Sequence, residues 1–180
     1  MTITAIIMGR TLSTRVPRKL VRDFADTTIL DIALEKLNQM DFVDFRYLAV
    51  AEEELAEKCK KYSNIEVMWR KPESILKGDV PLKIRNDHYT KVKTDYIFIF
   101  NPCHPFITLD TLKKTISYVE ETQYNSYTSV ISTVDWIFNN NGDPITNKDP
   151  KIVSTTETRK LFKVAHAFHV IRPDFLRKSG

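Results

Sequence analysis

Glycine is scarce in this 180-residue chain: there are four, and only Gly9 falls in the loop that follows the first apolar run. That excludes the GxGxxG dinucleotide fingerprint and the Walker-type phosphate loop, both of which need several glycines for close backbone approach. Cysteine is nearly absent too. Cys59 and Cys103 have no metal-ligand spacing and make no disulfide framework, so a reducing cytoplasm is the expected location. No apolar stretch approaches the roughly 20 residues that span a bilayer. The start "MTITAIIMGR" lacks the basic region and small-residue cleavage site of a signal peptide. There is no internal repeat, low-complexity tract or obvious linker. A net charge of +4 is compatible with an anionic ligand but falls short of a dedicated nucleic-acid binder. The length fits one domain with a real core.

What the chain does contain is an alternation of short apolar runs and amphipathic segments. "TITAIIM", "DFRYLAVA", "IEVMW" and "DYIFIF" read as strands, the last being aromatic and β-branched throughout. "DTTILDIALEKLNQM" carries Ile29, Ile32, Ala33, Leu37 and Met40 at helical spacing, with Thr28 and Asp31 placed as a capping box. "EEELAEKCKKY" reads as a short helix whose acidic start and basic end suit its dipole. "TLDTLKKTISYVEE" is a helix with Leu109, Leu112, Ile116 and Val119 on one face. Strands alternating with helices indicate an α/β domain with a mostly parallel sheet covered on both faces. Past residue 126 the pattern changes. "SYTSVISTV" and "LFKVAHAFHVI" read as strands, and "NNNGDPITNKDP" between them is turn chemistry. Residues 135–160 are therefore expected to form a β-arm excursion from the sheet.

In open parallel sheets ligands sit at the carboxyl ends of the strands, near the point where strand order reverses. The loops to inspect are 9–19 and 101–108. The first, "MGRTLSTRVPRK", places Arg10, Arg15, Arg18 and Lys19 close together with no carboxylate among them. With glycines lacking, phosphate binding here has to come from side chains: Arg10, Arg15 and Lys19 as charges, Ser13 and Thr14 as short donors. The plainer alternative is a solvated basic loop. A nucleic-acid contact is disfavoured because no stacking aromatics interleave with these basic residues.

The pattern Arg10, Ser13, Thr14, Arg15, Pro17, Lys19 resembles the nucleotide-binding signature of the cytidylyltransferases that activate acidic sugars. That group includes the N-acylneuraminate (CMP-sialic acid synthetase) and 3-deoxy-manno-octulosonate enzymes and their spore-coat polysaccharide relatives. "VMWRKPESILKGDVP" is similar to the segment after their third strand, and "DYIFIFNPCHPFITLDTLKKTI" resembles a strand, loop and helix of the sialic acid enzymes. "SVISTV" matches their next strand. The likeness covers residues 3–135 and, more weakly, 160–176.

The resemblance implies a Rossmann-like three-layer nucleotidyltransferase fold over residues 1–180. It also implies transfer of CMP from CTP to an acidic sugar or related acceptor, with release of pyrophosphate, for surface polysaccharide synthesis. By similarity Arg10 and Lys19 hold the triphosphate and serve catalysis, with Ser13 and Thr14 donating to it. Arg15 belongs to the same motif, a salt bridge being its alternative role, and Pro17 stiffens the loop. Arg70 falls on a nucleotide position. Asp79, Asn101 and His104 fall at substrate positions, Asp79 with the alternative of capping a helix before Pro81. Mg²⁺ is expected to arrive with CTP. The family pairs subunits through the excursion, so 135–160 implies a homodimer; the plainer reading is that it covers a sheet edge.

Departures qualify the likeness. Gly9 replaces the family's usual alanine, Asn101 its glutamine in the sialic acid enzymes, and Cys103 an aspartate metal ligand of the octulosonate enzymes. Ala165 stands near an asparagine that meets the sugar, so a standard sialic acid is not the expected acceptor. The family's paired metal-binding aspartates near the C-terminus are expected in a segment beyond "RPDFLRKSG", where this sequence stops; Asp174 reads instead as part of a turn into a helix. Two readings follow: an active enzyme once that segment is supplied, or a catalytically impaired nucleotide-binding or assembly protein of the same fold.

Overall fold

The computed structural model describes residues 1–13, 15–76, 80–146, 149, 151 and 153–179. In chain order it places β1 (Ile3–Met8), a short hairpin of β2 (Asp23–Phe24) and β3 (Thr27–Thr28), α1 (Ile29–Asn38), β4 (Phe45–Val50), α2 (Glu53–Glu57) and β5 (Glu66–Trp69). A 3₁₀ turn (Pro72–Ile75), α3 (Leu82–Arg85) and a second 3₁₀ turn (Asp87–Lys91) lead to β6 (Tyr96–Phe100) and α4 (Leu109–Thr122). β7 (Ser126–Thr133), a 3₁₀ turn (Thr155–Glu157), β8 (Leu161–Ile171) and α5 (Pro173–Ser179) complete it. The main sheet has the order β5-β4-β1-β6-β8-β7. β1 pairs in parallel with β4 and β6, and β4 with β5, while β8 runs antiparallel to β6.

Alternation along β1 sends successive side chains to opposite faces. Ile3, Ala5 and Ile7 join Leu48, Val50, Phe98 and Phe100 in a core completed by the apolar faces of α1 and α4. Ile6 joins Ala49, Met68 and Ile97 on the other face, against Tyr89, Val92 and Leu176. Thr28 caps α1 as its position predicts, its hydroxyl accepting from the Asp31 amide at 3.1 Å and donating to the Asp31 carboxylate at 2.7 Å. The helix expected over "EEELAEKCKKY" is shorter: α2 stops at Glu57, and Lys58, Cys59, Lys60 and Tyr62 donate to carbonyls three residues back. Turns of this tighter type bury Cys59, and burial pushes its thiol up to about 11. Cys59 is thus an inert core residue rather than a nucleophile.

The chain forms two compact units, Met1–Tyr127 with Ala167–Gly180, and Thr128–His166. The excursion over 135–160 lies inside the second. There a bridge pairs Phe138 with Pro144 around a turn closed by Asn139, whose amide donates to the Asp143 carbonyl at 2.9 Å. This unit leaves Val130, Ile131, Trp136, Phe138 and Phe162 exposed. His166 adopts φ +58°, the left-handed region, within β8.

Candidate nucleotide site

Because β5, β4, β1 and β6 are parallel, their carboxyl ends share one edge. From β1 the chain adds β4 and β5 on one side, then crosses to place β6 on the other. Strand order therefore reverses between β1 and β6, and the loops that leave them, 9–20 and 101–108, flank that crevice.

The basic loop is seated on the segment that joins β4 to α2. The Gly9 amide donates to the Ala49 carbonyl at 3.0 Å. A Cβ at Gly9 would stand 3.1 Å from Val50 Cγ1 and 3.2 Å from Leu55 Cδ1, which accounts for glycine at this position. Next, the Thr11 amide and hydroxyl both donate to Glu52 Oε1, at 2.8 and 3.0 Å. Farther on, the Arg18 guanidinium pairs with Glu54. Arg18 adopts φ +52°, and its carbonyl accepts from the Val21 and Arg22 amides to close the turn.

Above this seat the structure gathers guanidinium groups. Met8 pairs with Ala49 and Ala49 with Met68, so continuing β1 and β5 past their ends brings Arg10 and Arg70 into one row. Arg10 is exposed, and its Nη1 donates to the Ile75 carbonyl at 3.2 Å. Arg70 is half-buried: its amide donates to the Val50 carbonyl at 2.8 Å and its Nη2 to the Ser74 carbonyl at 3.3 Å. Its Nε is buried with no partner among the described residues. Burial lowers the Arg70 pKa, the charges of Arg10 and Arg85 act in the same sense, and Tyr89 and Glu52 oppose them. A guanidinium stays charged at any ordinary pH, so Arg70 is a half-buried cation close to a second one, Arg10.

The remaining expected ligands fall as follows. Ser13 and Lys19 are half-buried and Arg15 is exposed; neither Arg15 nor Lys19 forms an ion pair among the described residues. Thr14 and Asp79 lie outside the described residues. Asn101 and His104 are half-buried in the loop after β6. The Asn101 side-chain oxygen accepts from the Cys103 amide at 3.0 Å, and the His104 amide donates to the Asn101 carbonyl at 3.2 Å. The Lys36 ammonium of α1 donates to the Pro105 carbonyl, tying down the same loop. The structure thus brings Arg10 and Arg70 together and sets Asn101 and His104 on the loop of the adjoining strand.

Sequence reasoning passed over Glu52, Glu54, Arg85 and His88. For the two glutamates a signal existed: an "EEE" run after the second strand, facing a loop of four cations. His88 carried none. It is 2% exposed, and neither ring nitrogen has a partner among the described residues. Burial, reinforced by Arg70, pulls its pKa down to about 3, so the ring is neutral. Among the described residues no three His, Cys, Asp or Glu side chains come together to hold a metal ion, and no helix is long and apolar enough to cross a membrane. Asp174 is paired with Arg177.

A mostly parallel sheet with helices on its faces and side-chain cations beside its switch point defines an α/β domain of the doubly wound, Rossmann-like type. The chain belongs to the cytidylyltransferase family, whose model matches residues 4–177. Members of that family transfer CMP from CTP to an acceptor. Among solved structures it is similar to a CMP:2-keto-3-deoxy-manno-octonic acid synthetase complexed with CTP, with a TM-score of 0.71 at 14% identity over 99% of this chain and 77% of that one. It is also similar to the 4-diphosphocytidyl-2C-methyl-D-erythritol synthase of Anaerococcus prevotii, with a TM-score of 0.67 at 13% identity over 98% and 74%. A third is a cytidylyltransferase of Leptospira borgpetersenii serovar Hardjo-bovis, with a TM-score of 0.61 at 19% identity over 99% and 63%. At these identities the likeness is one of fold. No curated protein sequence matches the chain.

Proposed function

We propose that this cytidylyltransferase acts in the cytoplasm on an acidic sugar or related acceptor destined for surface polysaccharide. An acceptor hydroxyl attacks the α-phosphorus of CTP. As the new P–O bond forms, the bond to the β-phosphate oxygen breaks, pyrophosphate leaves with that electron pair, and the hydroxyl proton is released. In such a displacement the protein positions the groups and neutralises charge. Arg10 and Lys19 hold the triphosphate, Ser13 and Thr14 donate to it, and Arg15 and Arg70 add charge. Asp79, Asn101 and His104 contact the acceptor, and His104 takes its proton. Mg²⁺ would arrive with the nucleotide and offset the charge that develops on the leaving pyrophosphate. The excursion over 135–160 pairs two copies into a homodimer, a role supported by its exposed Trp136, Phe138 and Ile145.

The observation that carries this reading is the meeting of Arg10 with the half-buried Arg70, whose Nε has no partner among the described residues, beside the switch point. The test is calorimetric titration with CTP, UTP, ATP and GTP, each with and without Mg²⁺. Pyrophosphate release is then followed with 3-deoxy-manno-octulosonate or N-acetylneuraminate as acceptor. CTP-selective binding with release on an acidic sugar is the expected result. Binding without release on either sugar overturns the acceptor assignment, and no binding of any nucleotide overturns the site.

A further inference from the structure

A loop that binds phosphate through side chains faces a difficulty that a glycine-rich loop avoids. Its cations repel one another before the anion arrives, and long side chains on a disordered loop lose much entropy on binding. Preorganisation therefore needs countercharge placed where it does not compete for the phosphates. The segment entering α2 supplies it. Glu52 is the N-cap residue of α2, yet its side chain makes no capping bond to its own helix. Its Oε1 instead accepts both donors of Thr11. Its Oε2 is buried with no partner among the described residues. A buried, unpaired acceptor is a cost to the fold, so folding stability alone does not account for a glutamate here.

We propose that Glu52 is the positioning residue of the nucleotide loop: by holding the Thr11 amide and hydroxyl it fixes the backbone from which Arg10 and Ser13 reach the triphosphate. Glu54 anchors the far end of the loop through Arg18, which leaves Arg10 and Lys19 for the ligand. The inference rests on the triphosphate reading of the loop for its functional half only; the anchor itself is testable with no nucleotide.

The experiment compares the wild type with Glu52→Ala and Glu52→Gln in three measurements: amide hydrogen exchange at Thr11 without ligand, the Kd for CTP with Mg²⁺, and the melting temperature. The glutamine side-chain oxygen accepts both Thr11 donors, so Glu52→Gln separates the hydrogen bonds from the charge. For Glu52→Ala, we expect Thr11 exchange and the CTP Kd each to rise at least about tenfold with the melting temperature unchanged. For Glu52→Gln, we expect both to return to within about threefold of wild type. Wild-type exchange at Thr11 in Glu52→Ala, or Glu52→Gln as impaired as Glu52→Ala, overturns the anchor. A fall in melting temperature that tracks the loss of affinity assigns Glu52 to folding instead, and overturns the positioning role. If the wild type binds no CTP, the triphosphate reading fails, and Thr11 exchange alone decides the anchor.

Discussion

Arg10 and Arg70 donate to neighbouring carbonyls of one 3₁₀ turn, Arg10 to Ile75 at 3.2 Å and Arg70 to Ser74 at 3.3 Å. Two like charges are thereby held near each other by neutral acceptors rather than by carboxylates. Each retains donors for a ligand. Charge-assisted hydrogen bonds to phosphate contribute about 1.5–3 kcal/mol each, so Arg10→Ala and Arg70→Ala should each weaken CTP binding by at least about tenfold. On the proposed reading, in which both contact one triphosphate, the double variant should lose less than the sum of the two. Strict additivity in a calorimetric double-mutant cycle would separate their roles.

Lys19 and Arg15 offer a contrast within the same loop. Lys19 is half-buried and Arg15 exposed, and neither is tied to a carboxylate among the described residues. Burial strengthens the interaction of a charge with a bound anion. Lys19→Ala should therefore cost more CTP affinity than Arg15→Ala, by about tenfold against a few-fold. Equal losses at low and high salt would place both on a solvated surface.

Gly9 sits against Val50 and Leu55 with no room to spare, a Cβ meeting them at 3.1 and 3.2 Å. Both contacts are side-chain ends that can shift slightly. Gly9→Ala should thus destabilise by about 1 kcal/mol, the low end of overpacking. In chemical denaturation, adding Val50→Ala should make the combined loss smaller than the sum. A fully additive pair would trace the glycine to the backbone instead.

Much of this fold was legible because its elements carry their own periodicity. β1, β4, β5 and β6 are short apolar runs between breakers, and α1 and α4 show one apolar face each, so their order alone implied a parallel sheet with its ligand at the carboxyl edge. The basic loop stood out because four cations without a carboxylate are unusual in so short a stretch. Glu52 was hidden because its partner Thr11 is distant in sequence, and an acidic helix start is already explained by the dipole. Arg85 and His88 were hidden for a related reason: only tertiary packing brings them to Arg70. The antiparallel direction of β8 could not be read either, since alternation is the same in both directions.

The excursion over 135–160 leaves Trp136 and Phe138 exposed, Phe138 at 55%. A homodimer built on this arm should dissociate when a charge is introduced there. Phe138→Glu is expected to elute as a monomer in size-exclusion chromatography with light scattering, whereas the wild type elutes as a dimer. Retained CTP binding by that monomer would place the nucleotide site within one chain. A monomeric wild type would remove the arm's proposed role.

His88 makes stability depend on pH, and the sign can be worked out. In the folded chain its pKa lies near 3, whereas an exposed histidine titrates near 6.5. Above pH 6.5 the ring is neutral in both states and contributes no pH dependence. As the pH falls from about 6.5 toward 3, the unfolded chain binds a proton there that the folded chain does not. Stability therefore declines through that window, by roughly 1.4 kcal/mol per pH unit at most, and levels off below it. Carboxylates such as Asp31 and Asp95, whose folded pKa values are lowered, add a loss in the same direction, but only near and below pH 4. The interval between pH 6.5 and 5 consequently separates the His88 contribution from that of these carboxylates. His88→Leu removes the titrating group and two unpaired buried nitrogens at once, so it should flatten the profile there and leave stability at pH 7.5 equal or higher. Urea unfolding of both proteins at pH 7.5, 6.0 and 5.0 reads the difference directly. Parallel profiles would mean that the His88 ring is protonated or solvated in the folded chain, with a partner for its nitrogens.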